Sequence, residues 1–198
     1  MSEKMMAAVL CGDRDLQYKE TEKPTPKAGE VLVRVRASGI CGSDIPRVLH
    51  GGAHFFPIIL GHEFSGEIAA LGEGVEGFEI GDRVSGAPLK PCGKCRDCQK
   101  GNYSLCKHYS FIGSRENGSF AQYVAIPAQN AIKFDKSVSF EQGAMFEPST
   151  VALHGVLLNE CAGVYGMKIN VHIEKNVGNV GQKSVTVEGS YLKRGGKA

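Results

Sequence analysis

The chain has 198 residues, enough for one large domain or for one domain with a tail. A net charge of +2, with a short basic segment only at 192–198, gives no electrostatic case for a nucleic-acid partner. No apolar run approaches the roughly 18 residues of a membrane helix, and residues 1–6 lack the apolar core of a signal peptide. We therefore expect a soluble globular protein without a nucleic-acid or membrane partner.

Short strands separated by Gly and Pro dominate the chain up to about residue 134. The alternation in Glu30–Ala37 places Val31 and Val33 on one face and is typical of a half-exposed strand. Strands this short favour a barrel or sandwich over a doubly wound sheet. A helical pattern follows at about 139–158, with Pro148 interrupting it. The predicted strands are Met5–Cys11, Leu16–Thr21, Glu30–Ala37, Phe64–Leu71, Gly81–Gly86, Phe120–Ile126 and Ala131–Phe134.

Four cysteines, Cys92, Cys95, Cys98 and Cys106, lie within fifteen residues. Four thiolates can close a tetrahedral shell around Zn²⁺ and leave no ligand position for a substrate, so this spacing predicts a structural zinc site. An iron–sulfur cluster is the alternative, but the bacterial ferredoxin pattern has its fourth cysteine after three residues and before Pro. The gap here is seven residues and Lys107 follows. The total of seven cysteines is odd, and the clustering of four of them suits metal binding in a reducing cytoplasm better than a disulfide framework.

A second metal site could form from Cys41, the pair His62–Glu63, and Glu147. Each lies just after or between predicted strands, where loops can converge. Cys, His and a carboxylate make a three-ligand zinc site whose fourth position is open to water or substrate. Taken singly, however, a cysteine is more often a small buried hydrophobe, and most glutamates are solvated. The residues alone leave both interpretations open.

Six segments of the chain stand out as motifs: Cys41–Asp44, Gly61–Gly66, Gly72–Val75, Gly81–Val84, Cys92–Cys106 and Gly118–Tyr123. Together they resemble the signature of the zinc-dependent medium-chain alcohol and polyol dehydrogenases. The resemblance covers about residues 1–158. It implies a mainly β fold, a GroES-like partly closed β-barrel with peripheral helices.

The same resemblance assigns roles. Cys41, His62 and Glu147 would hold a catalytic zinc, with Glu63 as an alternating or water-bridged ligand, and the four clustered cysteines would hold a structural zinc. Ser43 would take the proton of the alcohol. The implied reaction is the oxidation of a polyol or polyol phosphate at a secondary alcohol, with NAD as acceptor. The alternative is a sorbitol- or threonine-type dehydrogenase acting on an unphosphorylated substrate.

One stretch departs from many polyol dehydrogenases, which carry a His soon after the Cys-Gly-Ser-Asp motif. Here Ile45–Arg47 occupies that place, so Ser43 would pass its proton through water, or through His50 or His54. Arg47, or Arg115, is a candidate contact for a substrate phosphate, because arginine binds phosphate with two parallel hydrogen bonds. The alternative for either arginine is a solvated surface side chain.

The end of the chain differs from the family pattern. Dehydrogenases of this kind continue with a Gly-x-Gly-x-x-Gly turn that cradles the cofactor, whereas residues 177–182 lack the first glycine. We expect a zinc-binding catalytic domain at 1–158 and an atypical tail at 159–198, with strands at Val171–Glu174 and Ser184–Gly189 that faintly resemble the interdomain region.

On this expectation the chain is truncated and lacks a complete Rossmann domain. Two hypotheses follow: a dehydrogenase whose cofactor domain is supplied otherwise, or a zinc-binding domain without turnover. The second is favoured for this chain alone because the cofactor fingerprint is not recognisable. An apolar face that normally packs on a cofactor domain would be exposed, so we also expect a homo-oligomer.

Overall fold

The computed structural model describes residues 3–158, 168–174 and 184–190. The chain divides into two compact units, Met1–Ser149 and Thr150–Ala198. The expected tail at 159–198 is described only through two strands, and its boundary stays a prediction. The glycine-containing segment 177–182 and the basic end 192–198 lie outside the described residues.

Twelve strands and four α-helices are found in the described parts of the chain. The helices are α1 (Asp44–Leu49), α2 (Arg96–Gln99), α3 (Phe140–Ala144) and α4 (Phe146–Leu158). The strands are β1 (Lys4–Gly12), β2 (Asp15–Glu22), β3 (Glu30–Gly39), β4 (Ile58–Ile59), β5 (Glu63–Leu71), β6 (Arg83–Gly86), β7 (Leu89–Lys90), β8 (Ser110–Phe111), β9 (Tyr123–Pro127), β10 (Ala131–Lys133), β11 (Lys168–Glu174) and β12 (Ser184–Ser190).

The larger sheet has five antiparallel strands in the order β10-β6-β5-β3-β9, and the core lies on one of its faces. Val31 and Val33 on β3 pack there with Phe64 and Ile68 on β5, all fully or almost fully buried. The predicted alternation along β3 is confirmed for these valines. Leu32, on the opposite face, is also buried, so that face is less exposed than the pattern indicates.

A smaller sheet, in the order β2-β1-β4, packs a second apolar cluster around Met5, Ala7 and Val9 of β1. These residues alternate along the strand, which is why one face of β1 is buried. A bridge from Ala7 to Ala121 joins β1 to the segment before β9. All sheet ladders among the described strands are antiparallel, and the prediction of a mainly β fold is confirmed.

The predicted interruption of the late helix at Pro148 is wrong. The break falls at Met145, which ends α3, and Pro148 lies in the first turn of α4. A proline fits there because the first amides of a helix have no intrahelical acceptor. The hydrogen bond from the Ser149 N–H to the Met145 carbonyl, at 3.0 Å, begins the helical ladder one residue later.

Other boundaries move by one to three residues. β6 begins at Arg83 rather than Gly81, and β9 begins at Tyr123 rather than Phe120. Both predicted strands of the tail are found, slightly longer than predicted, and they pair with each other as β11 and β12. The short elements α1, β4, β7 and β8 are too brief for a periodic pattern, and the sequence did not predict them.

The N-terminus of α3 offers a test of the fold. The Ser139 Oγ accepts from the Gln142 N–H at 3.2 Å, and the Gln142 Oε1 accepts from the Ser139 N–H at 2.9 Å. Because Ser139→Ala removes one acceptor of this capping box, we expect a loss of about 1 kcal/mol in the free energy of unfolding. Urea unfolding followed by circular dichroism measures it. Ser139→Asp keeps the acceptor and should stay near wild type; an equal loss in both variants would contradict the capping role.

Candidate metal centres

The four-cysteine loop is held closed at its base by the β7–β8 ladder, in which Leu89 pairs with Phe111. Inside the loop, thiols contact backbone amides. The Cys92 N–H donates to the Cys106 Sγ at 3.3 Å, and the Cys98 N–H donates to the Cys95 Sγ at 3.5 Å, which caps α2. The local fold therefore turns the sulfur atoms inward, toward one another.

The geometry of the tetrad fits Zn²⁺. The Sγ–Sγ distances are 3.9 Å for Cys92–Cys98, 3.4 Å for Cys95–Cys98 and 3.9 Å for Cys95–Cys106. A tetrahedron of sulfurs about 2.3 Å from a zinc ion has edges of about 3.8 Å. These distances are far longer than a disulfide bond, and all four thiols are free. The spacing and the donor set both suit a closed structural site.

The thiols of the tetrad differ in their acidity. Hydrogen bonds from the backbone amides of Lys94 and Cys95 lower the pKa of Cys92 to about 6. Burial, together with the neighbouring sulfurs, raises the pKa of Cys98 to about 12. Because metal ions bind thiolates rather than thiols, metal binding by this group would displace the Cys98 proton.

A second group forms where β3 and β5 lie side by side. One ligand atom from each of Cys41, His62 and Glu63 lies within 4.8 Å of the others. In the β3–β5 ladder Gly39 pairs directly with Glu63. A Cβ atom on Gly39 would lie 2.5 Å from the Glu63 Oε2, so the glycine leaves the space that this carboxylate occupies.

Gly61 sets the direction in which the chain enters β5. Its φ of +93° lies in the left-handed region, and an added Cβ would lie 2.5 Å from the Phe120 ring. The turn directs His62 into a buried position, where its imidazole meets the edge of the Phe111 ring with centroids 5.4 Å apart. The backbone conformation and the close Phe120 ring therefore explain why the Gly-His-Glu motif has glycine at position 61.

Asp44 lies behind His62. Its Oδ2 accepts from the Cys41 N–H at 3.1 Å, while its Oδ1 lies 3.7 Å from the His62 Nδ1. Both of these facing atoms are buried and have no hydrogen-bond partner. Burial lowers the pKa of His62 and raises that of Asp44. The lowered pKa favours the neutral imidazole, the form that binds a metal, and Asp44 is placed to orient it.

Glu147, the other predicted ligand, is half-buried in the first turn of α4. Burial and the negative charge of Glu63 raise the pKa of its carboxyl group, which therefore lies near the second cluster. It is not among the three residues whose ligand atoms meet within 4.8 Å, in a search of the described residues. Its role as a zinc ligand stays a prediction.

The hydroxyl of Ser43 lies beside the second cluster and donates to the Cys41 Sγ at 3.3 Å. His50 and His54, the two candidate partners for its proton, are both exposed. Arg47, instead, contacts Ser43: its Nη1 donates to the Ser43 carbonyl and to the Ser43 Oγ, each at 2.7 Å. Motif spacing gave no signal for this contact, since it depends on the turn of α1.

The two arginines considered for phosphate differ in placement. Arg47 is only 19% exposed in its side chain and bonds to protein groups, so the alternative of a solvated surface arginine is wrong for it. Arg115 is exposed and lies over the Tyr109 ring, 4.6 Å from its centroid. Of the two, Arg115 is more open to a ligand.

No helix in the described parts of the chain is long and apolar enough to span a bilayer.

Comparison with known sequences identifies relatives. The alcohol dehydrogenase GroES-like domain family matches residues 27–136. Galactitol 1-phosphate 5-dehydrogenase of Escherichia coli strain K12 is 50% identical over 125 residues, covering 63% of this chain and 36% of the relative. L-threonine 3-dehydrogenase of Idiomarina loihiensis is 37% identical over 156 residues, covering 73% of this chain and 43% of the relative.

Solved structures agree. Galactitol-1-phosphate dehydrogenase from E. coli matches with a TM-score of 0.76 at 44% identity, over 78% of this chain and 45% of that one. A short chain alcohol dehydrogenase from E. coli CFT073, complexed with cofactor NADH, matches with a TM-score of 0.75 at 36% identity, over 81% and 47%. This chain thus spans less than half of each relative, and the predicted GroES-like fold is confirmed. The chain belongs to the alcohol dehydrogenase GroES-like domain family.

Proposed function

We propose that this chain is the zinc-binding catalytic domain of an NAD-dependent dehydrogenase that oxidises a secondary alcohol of a polyol or polyol phosphate. The observation that carries the proposal is the meeting of Cys41, His62 and Glu63 within 4.8 Å, beside the Ser43 hydroxyl. This group mixes sulfur, nitrogen and oxygen donors, as open catalytic zinc sites do, whereas the four-cysteine group is of the closed type.

In this proposal the chain's own residues hold the metal and move the proton. Cys41, His62 and Glu147 are the ligands, with Glu63 alternating or acting through water. Zinc, when bound, supplies Lewis acidity that lowers the pKa of a secondary alcohol, and NAD accepts the hydride. Ser43 Oγ takes the alcohol proton, and water carries it onward because His50 and His54 face solvent.

The substrate is proposed from the relatives. The 50% identity to a galactitol 1-phosphate 5-dehydrogenase supports a phosphorylated polyol. The exposed Arg115 supports this choice as a cation that a phosphate could reach, whereas the donors of Arg47 face Ser43 and Ser114. The relationship to an L-threonine 3-dehydrogenase supports the runner-up, an unphosphorylated substrate.

Cofactor binding distinguishes the proposed dehydrogenase from the alternative, a zinc-binding domain without turnover. Titration of this chain with NADH, followed by fluorescence, tests it: saturable binding in the micromolar range would contradict that alternative. A homo-oligomer and a cytoplasmic location stay predictions, and light scattering tests the first, since a monodisperse monomer would contradict it.

Metal content gives the first test of the proposal. The chain should bind two zinc ions, one at each group of ligands. Cys41→Ser removes one thiolate from the open group, so we expect the zinc content measured by elemental analysis to fall from two to one per chain. Cys95→Ser should likewise remove the other ion.

Cys11→Ser is the matched control. Cys11 lies on β1, its Sγ 2.8 Å from the Lys19 Nζ, and belongs to neither ligand group. Its replacement should leave two zinc ions per chain. Loss of zinc in this control, or two ions retained in Cys41→Ser, would contradict the assignment.

Substrate class can be tested on this chain without turnover. With Co²⁺ in place of zinc, a ligand that enters the open coordination position changes the visible absorption of the ion. We expect galactitol 1-phosphate to change the spectrum at a lower concentration than galactitol or L-threonine does. Arg115→Met should raise the concentration needed for the phosphate alone. A response at lower concentration to L-threonine would favour the runner-up.

A further inference from the structure

Two side-chain contacts join the open metal group (Cys41, His62 and Glu63) to the lobe that carries the four cysteines, the segment from β7 to the residues just after β8. The Phe111 ring, at the end of β8, meets the His62 imidazole edge-on, at an interplanar angle of 71°. Three residues later, the Ser114 Oγ accepts from the Arg47 Nη2 at 3.3 Å. The Cys41 group therefore contacts the segment that closes the cysteine loop through one ring contact and one hydrogen bond.

At one end of this connection, Arg47 contacts the turn from Cys41 to Asp44, which carries a proposed metal ligand. Its Nη1 donates to both oxygens of Ser43, and it lies 3.7 Å from the Asp44 Oδ1. Ser43 in turn donates to the Cys41 sulfur, and Asp44 accepts from the Cys41 N–H. Because the guanidinium is a rigid planar fork, its position constrains the orientation of the turn that carries Cys41.

Ser114 belongs to the other end. It is buried, and its N–H donates to the Phe111 carbonyl at 3.2 Å. Phe111 pairs with Leu89 in the ladder that closes the cysteine loop, and the Ile112 N–H donates to the Pro88 carbonyl at 3.0 Å. A metal ion on the four sulfurs would fix the loop between these two strands, and so would fix where Phe111 and Ser114 lie.

We propose that Arg47 is a positioning residue that couples the two metal sites, so that metal on the four-cysteine group raises the affinity of the Cys41 group. The inference rests on the zinc sites of the proposed function. The coupling is reciprocal, because binding free energies are linked: a metal at the Cys41 group raises the affinity of the cysteine tetrad by the same factor.

Metal titration of the full 198-residue chain tests the coupling without any measurement of activity. Co²⁺ is titrated into the Cys41 group while Cd²⁺, which prefers thiolates, fills the tetrad, and Cys41→Ser supplies the spectral blank. The same titration is made with the tetrad disabled by Cys95→Ser. We expect the Co²⁺ dissociation constant to rise at least about fivefold when the tetrad is empty.

The role of Arg47 is measured by a double-mutant cycle. Arg47→Met keeps an apolar stem but has no donors. In this background emptying the tetrad should change the dissociation constant by a clearly smaller factor than in the wild-type chain, because only the contact between Phe111 and His62 remains. Arg115→Met removes an exposed guanidinium one residue from Ser114 and should keep the full effect. Ser114→Ala, which alters no ligand and leaves the Arg47 bonds to Ser43, should weaken Co²⁺ binding with the tetrad filled.

The outcomes separate the two levels of the proposal. If Co²⁺ does not bind the Cys41 group of the wild-type chain, the metal assignment fails and the coupling fails with it. If both groups bind metal but the affinities are independent, or if Arg47→Met behaves as Arg115→Met does, the coupling is overturned and the zinc sites stand. If circular dichroism shows that Cys95→Ser does not fold, Ser114→Ala decides: unchanged affinity there overturns the proposal.

Discussion

The pairing of β3 with β5 is the constraint on which the open metal group depends. Cys41 follows β3 and His62 precedes β5, so the two residues meet only because these strands run antiparallel and side by side. The ladder is irregular at two places, between Leu32 and Val33 and between Val35 and Ala37. The two irregularities offset each other, so the pair Gly39–Glu63 at the metal-group end keeps the register of the pair Val31–Leu71 at the other end.

The electrostatics around this ladder favour a cation. Cys41, Asp44, Glu63 and Glu147 bring potential negative charge to one partly buried region, and the raised pKa values of Asp44 and Glu147 show the cost of their ionisation there. Arg47 supplies a positive charge beside them, with its Nη1 3.7 Å from the Asp44 Oδ1. A divalent ion would stabilise the ionised carboxylates and remove the need for them to take up protons.

The two ligand groups differ in whether they leave a coordination position of the metal open to a substrate. This difference distinguishes a structural site from a catalytic one. In the proposed function the cysteine tetrad would surround a metal with protein sulfurs and stiffen a loop closed by a ladder of two residue pairs. The Cys41 group draws its atoms from the ends of two neighbouring strands and lies next to the Ser43 hydroxyl. The contacts of Phe111 and Ser114 place the segment after the cysteine loop beside the Cys41 group.

Residue spacing alone predicts the closed metal site and most strands of the sheet. Cys92, Cys95 and Cys98 are separated by only two residues each, so their sulfur atoms must lie close together in space. The burial of Val31 and Val33 on one face follows from simple alternation along the strand. Some strand ends differ from the predicted ones. For example, β6 begins at Arg83, two residues after the predicted start at Gly81. A proline in a first helical turn looks the same in sequence as one that breaks a helix, so the residue pattern around Pro148 does not distinguish the two roles.

The candidate open site depends on tertiary structure. Cys41 and His62 are far apart in the chain, and only the register of β3 on β5 brings their ligand atoms within reach. The family resemblance supplied the same residues without a physical reason for their meeting. The inward turn of Arg47 onto Ser43 and Ser114 depends on the path of a six-residue helix and of a loop after β8. Such contacts arise from packing between distant segments, which no local pattern of residue types records.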